Sequence, residues 1–149
     1  MTQEPTSIKL IEYNSSQYRQ ACQLRYDLFF AEHNLPWEVV EDQNQAKYFH
    51  GAIMIKGCVV AYGQLVPNSN KIWQICQMVV KPAYQGQNLG VQLLSTLIEI
   101  ARQEKAIALT LNARLTAVGF YQKLGFKTHG TPFPSSTTGI LHIAMNKKL

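Results

Sequence analysis

Apolar residues fall into short segments along the chain, and their spacing predicts which segments are strands and which are helices. Near-continuous apolar runs rich in β-branched residues, such as 58–66 and 72–80, are typical of buried strands. Apolar positions three and four residues apart, as from Leu89 to Ala101, are typical of a helix with one buried face. The predicted strands are 7–12, 49–55, 58–66, 72–80, 106–111, a segment beginning at Phe126, and 140–146. The predicted helices are 16–32, 89–101 and 116–124, with a short helix or loop at 38–42 and a loop at 131–136.

The order of these elements predicts an α/β fold, in which a mixed sheet carries helices on its faces. A tight turn at Lys56-Gly57 joins two of the strands and predicts an antiparallel hairpin there. The chain has 149 residues, the size of a single domain with one core.

The apolar runs and the cysteines indicate the compartment. No apolar run approaches the roughly 20 residues of a membrane span. The first ten residues lack the basic and apolar parts of a secretory signal. Cys22, Cys58 and Cys76 lie apart and form no CxxC pair, which favours core thiols and predicts no metal site. We therefore expect a cytoplasmic protein without a membrane partner.

Charge is unevenly distributed along the chain. Residues 1–46 carry a net charge of −4, and residues 47–149 carry +9. The basic part is expected to attract a polyanion, and the acidic part could face a cationic or amine substrate. The bases are dispersed, with no block longer than Lys147-Lys148, so nucleic acid is the less favoured polyanion.

The stretch from Gln74 to Gly90 carries the most informative pattern. An apolar strand ends at Pro82, a polar turn with Gly86 follows, and an amphipathic helix begins near Leu89. Glycines at 86 and 90 allow a tight turn and close approach of a ligand. The first N–H groups of a helix have no partner within the helix, and the helix dipole favours an anion there. The pattern therefore predicts a phosphate-binding turn.

Residues 80–90, VKPAYQGQNLG, resemble the acetyl-CoA signature V-x-P-x-x-[QR]-G-x-G-[IL]-G of the GNAT acetyltransferase family. One position differs, because Asn88 replaces the middle glycine. Asn accepts left-handed backbone angles better than other non-glycine residues, so we expect the loop to keep its shape. A second segment, 112–126, resembles the family's N-x-x-A-x-x-x-Y-x-x-x-G-F element, with one or two additional residues after Asn112.

The resemblance implies a GNAT-type acyl-CoA N-acyltransferase fold, with a mostly antiparallel sheet, one splayed parallel strand pair and flanking helices. It implies that the pantetheine arm of acetyl-CoA enters the gap between the splayed strands. It also implies that Tyr121 protonates, or donates a hydrogen bond to, the leaving thiolate. The cofactor-binding residues that it implies are Met78, Val79, Val80, Gln85, Gly86, Gln87, Asn88, Leu89, Gly90, Asn112 and Tyr121.

The general base stays open, with Glu32, His33, His142 and an ordered water as candidates. The segment 24–33 resembles the R-x-x-V-F-V-x-E-Q element of the ElaA-like branch of this superfamily, and 141–145 resembles that branch's P-H-I-x-M ending. Glu32 could bind an ammonium group or relay a proton, or could be a solvated acid at a helix end. His142 lies in a predicted strand, where a half-buried structural histidine is the alternative.

Together these features predict an N-acetyltransferase that moves an acetyl group from acetyl-CoA to a primary amine by direct attack. A non-catalytic acyl-CoA-binding module is the alternative. A dinucleotide-binding domain is not favoured, because G-x-G-x-x-G and its following acidic residue are missing. The acceptor amine and the oligomeric state, including a homodimer, stay open.

Overall fold

The computed structural model describes residues 6–149. Residues 1–5, which form half of the segment inspected for a secretory signal, lie outside the described residues. The strands are β1 Thr6–Ile11, β2 Phe49–Ile55, β3 Cys58–Val66, β4 Ile72–Val80, β5 Ala108–Arg114, β6 Lys127–Pro134 and β7 Leu141–Lys148. The helices are α1 Ser16–Phe29, α2 Leu89–Gln103 and α3 Val118–Gln122. Short 3-10 turns lie at Ala31–His33, Trp37–Val40, Gln45–Lys47, Pro82–Tyr84 and Leu115–Ala117.

The seven strands form one mixed sheet in the order β1-β2-β3-β4-β5-β7-β6. All neighbours are antiparallel except β4 and β5, which run parallel. This arrangement confirms the predicted α/β fold with one parallel strand pair. No helix within residues 6–149 is both long and apolar enough to cross a membrane.

The parallel pair separates soon after it forms. Ile72, Trp73 and Gln74 of β4 pair with residues 108–110 of β5, and the ladder ends there. Beyond that point β4 continues only along β3, with Val80 opposite Ala61, while β5 continues along β7. The two strands therefore diverge, and backbone groups of β4 after Gln74 have no partner on β5.

The sheet is covered by a helix on each face. Ile53 and Ile55 of β2 pack with Leu93 of α2, on one face. The alternate residues of β2 pack with α1 on the other face, as side chains on a strand point alternately to its two faces. On the α2 side, Gly63 permits close packing, because a Cβ at this position would lie 2.9 Å from Leu97 Cδ1 and would overlap Met78 Sδ.

Several predicted boundaries differ from the structure. Helix α1 ends at Phe29, and the chain to His33 forms a 3-10 turn. The predicted helix 116–124 is shorter and begins with a 3-10 turn, and β5 extends to Arg114. Residues 131–134 of the predicted loop belong to β6. Because β6 lies at the edge of the sheet, its prolines need not donate hydrogen bonds to a neighbouring strand.

Candidate active site

A cavity of about 430 Å³ opens where β4 and β5 diverge. It lies between the two strands that the GNAT resemblance requires to separate, and its walls come from segments far apart in the sequence. The lining residues are 74–78, Leu111, Asn112, Arg114, Phe29, Phe30, Val39, Ala117, Tyr121, Phe133, 135–138 and His142. Four of the residues predicted from the sequence therefore meet here: Met78, Asn112, Tyr121 and His142.

The predicted phosphate-binding turn adopts the backbone that the sequence indicated. Gly86 has φ +82°, and Asn88 takes the left-handed conformation with φ 66° and ψ 15°. Asn88 occupies the N-cap of α2, and no side chain caps this end of the helix. The Gln85 side chain turns away from the N–H groups, since its Nε2 donates to the carbonyl of Val80 at 2.9 Å. The first turn of α2 thus keeps its N–H groups for a ligand.

Gly90 has a packing role in addition to the close approach of a ligand that the sequence predicts for it. A Cβ at this position would lie 3.2 Å from two ring atoms of Phe120 and 3.7 Å from Val80 Cγ2. Such contacts are tighter than ordinary packing, so glycine is needed here for α3 to approach the first turn of α2. Within the turn, Gly86 and Asn88 supply the left-handed backbone, and Gly90 supplies the room for Phe120.

The three residues of β4 expected to pair with pantetheine point in alternate directions. Met78 lines the cavity, while Val79 is buried with the residues that pack against α1. Val80 packs on the opposite face, beside Leu89 of α2. Only their backbone can therefore serve a common ligand, and on the β5 side that backbone is unpaired. Upstream, Gln77 has φ +58°, and the register with β3 shifts nearby, so β4 is distorted at the cavity.

Asn112 and Tyr121 face the cavity from β5 and α3. Asn112 is exposed and lies opposite Ala144 of β7. The Tyr121 ring packs edge-on against Phe120 and Phe126, with centroid distances of 5.0 and 6.0 Å. Burial raises the pKa of Tyr121 to about 12, so its hydroxyl stays protonated. No group within residues 6–149 forms a hydrogen bond with that hydroxyl, which leaves it available to a ligand.

Of the candidate bases, His142 lies at the cavity and Glu32 does not. His142 lines the cavity, and its Nδ1 lies 2.8 Å from the carbonyl oxygen of Ile140. A carbonyl only accepts, so Nδ1 carries the hydrogen and Nε2 of the neutral ring holds a lone pair. Glu32 does not line the cavity. Its side chain is 70% exposed and lies 3.4 Å from His33 Nε2, in the 3-10 turn after α1.

Between residues 6 and 46, no carboxylate lines the cavity, so the described acidic residues do not face an amine bound there. Glu41 accepts a hydrogen bond from Tyr18, and Asp42 accepts one from Tyr48 at 2.9 Å. Both are thus bound within the protein. From the segment 38–42, Val39 alone lines the cavity.

Arg25 is a buried charge that sequence reasoning treated only as part of a motif. It is 1% exposed, and its Nη2 donates to the carbonyl of Val40 at 2.7 Å and to Gln64 Oε1 at 3.3 Å. Its Nε lies 3.5 Å from Gln77 Oε1, at the distorted residue of β4. Arg25 therefore joins α1 to β3 and β4 behind the cavity. A basic residue among apolar ones on the predicted buried face was the available signal.

Arg114 was also missed, although it is the last residue of the strand that holds Asn112. Its guanidinium carbon lies 5.2 Å from the centroid of the Phe29 ring, in a cation–π contact. Two-residue spacing from Asn112 was the available signal, because it places both side chains on one face of a strand. The described residues contain no cluster of three His, Cys, Asp or Glu side chains arranged to hold a metal ion.

Comparisons with known proteins agree with this geometry. The family model described as "Acetyltransferase (GNAT) domain" matches residues 18–149. The chain is 29% identical over 79 residues to a glucosamine 6-phosphate N-acetyltransferase of Trypanosoma brucei brucei, a match covering 53% of this chain and 54% of that protein. The chain spans about half the length of the first curated relatives it matches, 55% and 54%.

Solved structures share the fold. The crystal structure of Escherichia coli ElaA has a TM-score of 0.83 at 21% identity, covering 97% of this chain and 100% of that chain. An aminoglycoside 6'-N-acetyltransferase complexed with coenzyme A has a TM-score of 0.78 at 18% identity, covering 95% and 96%. With the family model spanning most of the chain, the protein belongs to the GNAT acetyltransferase family.

Proposed function

We propose that this protein transfers an acetyl group from acetyl-CoA to the primary amine of a small molecule or peptide, by direct attack in a ternary complex. The observation that supports the proposal is the cavity at the fork of β4 and β5, which gathers Met78, Asn112, Tyr121 and His142. The turn that follows β4 and precedes α2 offers N–H groups that no side chain caps. A cytoplasmic location belongs to the same proposal.

The acetyl-CoA site is built largely from backbone. The diphosphate lies against the amides of Gln85, Gly86, Gln87, Asn88, Leu89 and Gly90, where the partial positive charge of α2 favours it. The pantetheine arm pairs with the β5-facing backbone of residues 78–80, and Asn112 holds an amide of the arm from the opposite strand. This placement brings the thioester to the cavity. Its carbonyl can then be polarised by backbone N–H groups of the distorted β4.

Positioning supplies much of the rate. Holding an amine against a thioester can lower the barrier by roughly 7–11 kcal/mol, because the two reactants have already lost their translational and rotational freedom on binding. The amine nitrogen forms a bond to the acetyl carbon, and the carbon–sulfur bond breaks. The electron pair of that bond leaves as a thiolate, to which Tyr121 donates a hydrogen bond.

His142 is the favoured base for this reaction. The hydrogen bond from Nδ1 to Ile140 fixes the tautomer, so the lone pair on Nε2 can take the proton that the amine loses. Glu32 would need a change in the chain after α1 to reach the cavity. A water held in the cavity is the remaining alternative.

Replacing His142 by Gln tests this role. General base catalysis typically contributes 100-fold or more, so we expect kcat/KM near pH 7.5 to fall roughly 100-fold. The loss should shrink toward pH 10, where a larger fraction of an alkyl amine is already neutral. Steady-state rates of thiol release between pH 6.5 and 10 provide the measurement. An equal loss at every pH would assign His142 a structural role.

The function itself is tested with a panel of primary amines, incubated with acetyl-CoA and protein. Release of free thiol and mass spectrometry of the acetylated amine are followed together, with heat-denatured protein as the control. Glucosamine 6-phosphate belongs in the panel, because two relatives that match over about half of the chain carry the name glucosamine 6-phosphate N-acetyltransferase. Acetylation of at least one amine supports the proposal. Binding of acetyl-CoA with no amine ever acetylated would favour the non-catalytic acyl-CoA-binding module.

A further inference from the structure

The cavity is lined by one guanidinium and by no carboxylate. Among the lining residues Arg114 is the only Lys or Arg, and none is Asp or Glu. A site for a polycationic amine would be expected to present carboxylates. This cavity instead combines a guanidinium with the hydroxyl-bearing segment 135–138. Resting on the proposed function, we propose that the acceptor amine carries an anionic group, a carboxylate or a phosphate, which Arg114 binds.

Arg114 is oriented but not neutralised. Its guanidinium lies over the face of Phe29, at 5.2 Å from the ring centroid. Within residues 6–149, no carboxylate or carbonyl accepts a hydrogen bond from it. The N–H groups of the guanidinium are therefore free to bind a ligand, and two of them match two oxygens of a carboxylate or phosphate.

The segment 135–138 adds donors to the same wall. Its backbone is held by hydrogen bonds from Ser135 N to Ile140 O at 2.8 Å and from Gly139 N to Ser135 O at 2.9 Å. Ser135 Oγ accepts the backbone N–H groups of Thr137 and Thr138, at 3.1 and 3.3 Å. Because its acceptor positions are used in this way, the hydroxyl hydrogen of Ser135 is left for a ligand.

The register of the sheet fixes the size of the acceptor. Arg114 lies directly opposite His142 in the antiparallel β5–β7 pair. Directly opposite residues have Cβ atoms about 5 Å apart and share a face of the sheet. With the amine at His142 and its anionic group at Arg114, only a few bonds separate the two groups. The anion also offsets repulsion between Arg114 and the imidazolium that forms when His142 takes a proton.

Two matched pairs of amines test the inference: O-phosphoethanolamine against ethanolamine, and β-alanine against β-alaninamide. We expect the charged member of at least one pair to have a kcat/KM at least about tenfold higher, when kcat/KM is calculated from the concentration of unprotonated amine. A factor of about ten corresponds to the contribution of one hydrogen bond to a charged group. The pair with the larger ratio distinguishes phosphate from carboxylate. A ratio of one or below in both pairs would overturn the inference while leaving acetyl transfer intact.

Variants distinguish an effect of Arg114 from an effect of the protein's net positive charge. Arg114→Met should lower kcat/KM for the charged member at least about tenfold and should not lower it for the neutral partner, and Arg114→Lys should be intermediate for the charged member. Arg102→Met is the matched control, because Arg102 lies on α2 and pairs with Glu99 at 3.5 Å. Arg102→Met should behave as wild type with both pairs. Equal losses for charged and neutral amines in Arg114→Met would contradict the inference.

A binding measurement keeps the inference testable without catalysis. N-acetyl-β-alanine and its amide are titrated by calorimetry into protein saturated with coenzyme A. We expect the acid to bind at least about tenfold more tightly than the amide, and this preference to disappear in Arg114→Met. If no amine is acetylated but the preference holds, the proposed function fails and the anion site stands. No preference in wild type, either here or for N-acetyl-O-phosphoethanolamine over N-acetylethanolamine, would reject the anion site.

Discussion

Replacement of Tyr121 by Phe removes one hydroxyl from the cavity and keeps the aromatic ring that packs against Phe120 and Phe126. That hydroxyl has no hydrogen-bond partner in the described part of the chain, so no buried group loses a partner when it is removed. The variant should fold as wild type. Any loss of activity then measures the interaction of the Tyr121 hydroxyl with the reacting groups.

The magnitude follows from the surroundings of the phenol. Burial, with a smaller contribution from the neighbouring Cys76 thiol, raises the pKa of Tyr121 to about 12. Against a reference thiol pKa of about 8.5, full proton transfer to the thiolate would be uphill by about 5 kcal/mol. Tyr121 therefore acts by donating a hydrogen bond. A hydrogen bond to a charged group contributes about 1.5–3 kcal/mol, so kcat should fall roughly 10- to 150-fold.

The pH dependence follows from the same shift. A raised pKa keeps the phenol protonated up to about pH 12, so the contribution of Tyr121 is present throughout pH 7–10 and is lost only above that range. Wild type and Tyr121→Phe should have parallel pH–rate profiles between pH 7 and 10. Initial rates of thiol release give kcat, and calorimetric titration of coenzyme A gives the dissociation constant, which should stay within twofold.

The control variant is Tyr13→Phe, which removes a hydroxyl from a residue that is 46% exposed and does not line the cavity. It should retain the kcat of wild type. A Tyr121→Phe variant with kcat within twofold of wild type would refute the hydrogen-bonding role. An alkaline decline below pH 10 that disappears in Tyr121→Phe would refute the raised pKa.

Two further predictions concern stability. Gly63→Ala should lower the free energy of unfolding, measured in urea, by about 1–3 kcal/mol, because its Cβ would displace Met78 and Leu97. Gly119→Ala is the control: a Cβ at Gly119 would meet no atom within 4 Å, so this variant should be neutral or slightly stabilising. His50 is buried, with Nε2 donating to a backbone carbonyl at 2.7 Å, and burial lowers its pKa. The unfolded chain takes up a proton near pH 6.5 while folded His50 does not, so stability should fall as pH drops from 7 to 5. His50→Gln should lose less stability over that range in urea unfolding, and an equal fall in both proteins would contradict the assignment.

Local patterns were sufficient for much of the fold. The bounds of β2, β3 and β4 were predicted as the structure has them, because these apolar segments end at clear turn signals. The left-handed conformation at Asn88 followed from the chemistry of one residue. The placement of β7 between β5 and β6 could not be predicted, because strand order depends on contacts distant in the sequence.

In the candidate site too, contacts between residues distant in the sequence could not be predicted. Tyr121 and Asn112 were found through motifs, whereas Arg114 and His142 become neighbours only through the register of β5 and β7. No local pattern encodes that register. Arg25 was similarly hidden, since its partners come from four other segments and include no carboxylate.

The proposed function requires the turn at residues 85–90 to hold the diphosphate of acetyl-CoA while the thioester lies at the fork of β4 and β5. A crystal structure of the protein with coenzyme A would show where both groups bind. We predict diphosphate oxygens within hydrogen-bond distance of the N–H groups of this turn, and the thiol in the cavity beside Tyr121. A diphosphate bound elsewhere, with the turn before α2 unchanged and unliganded, would contradict the account.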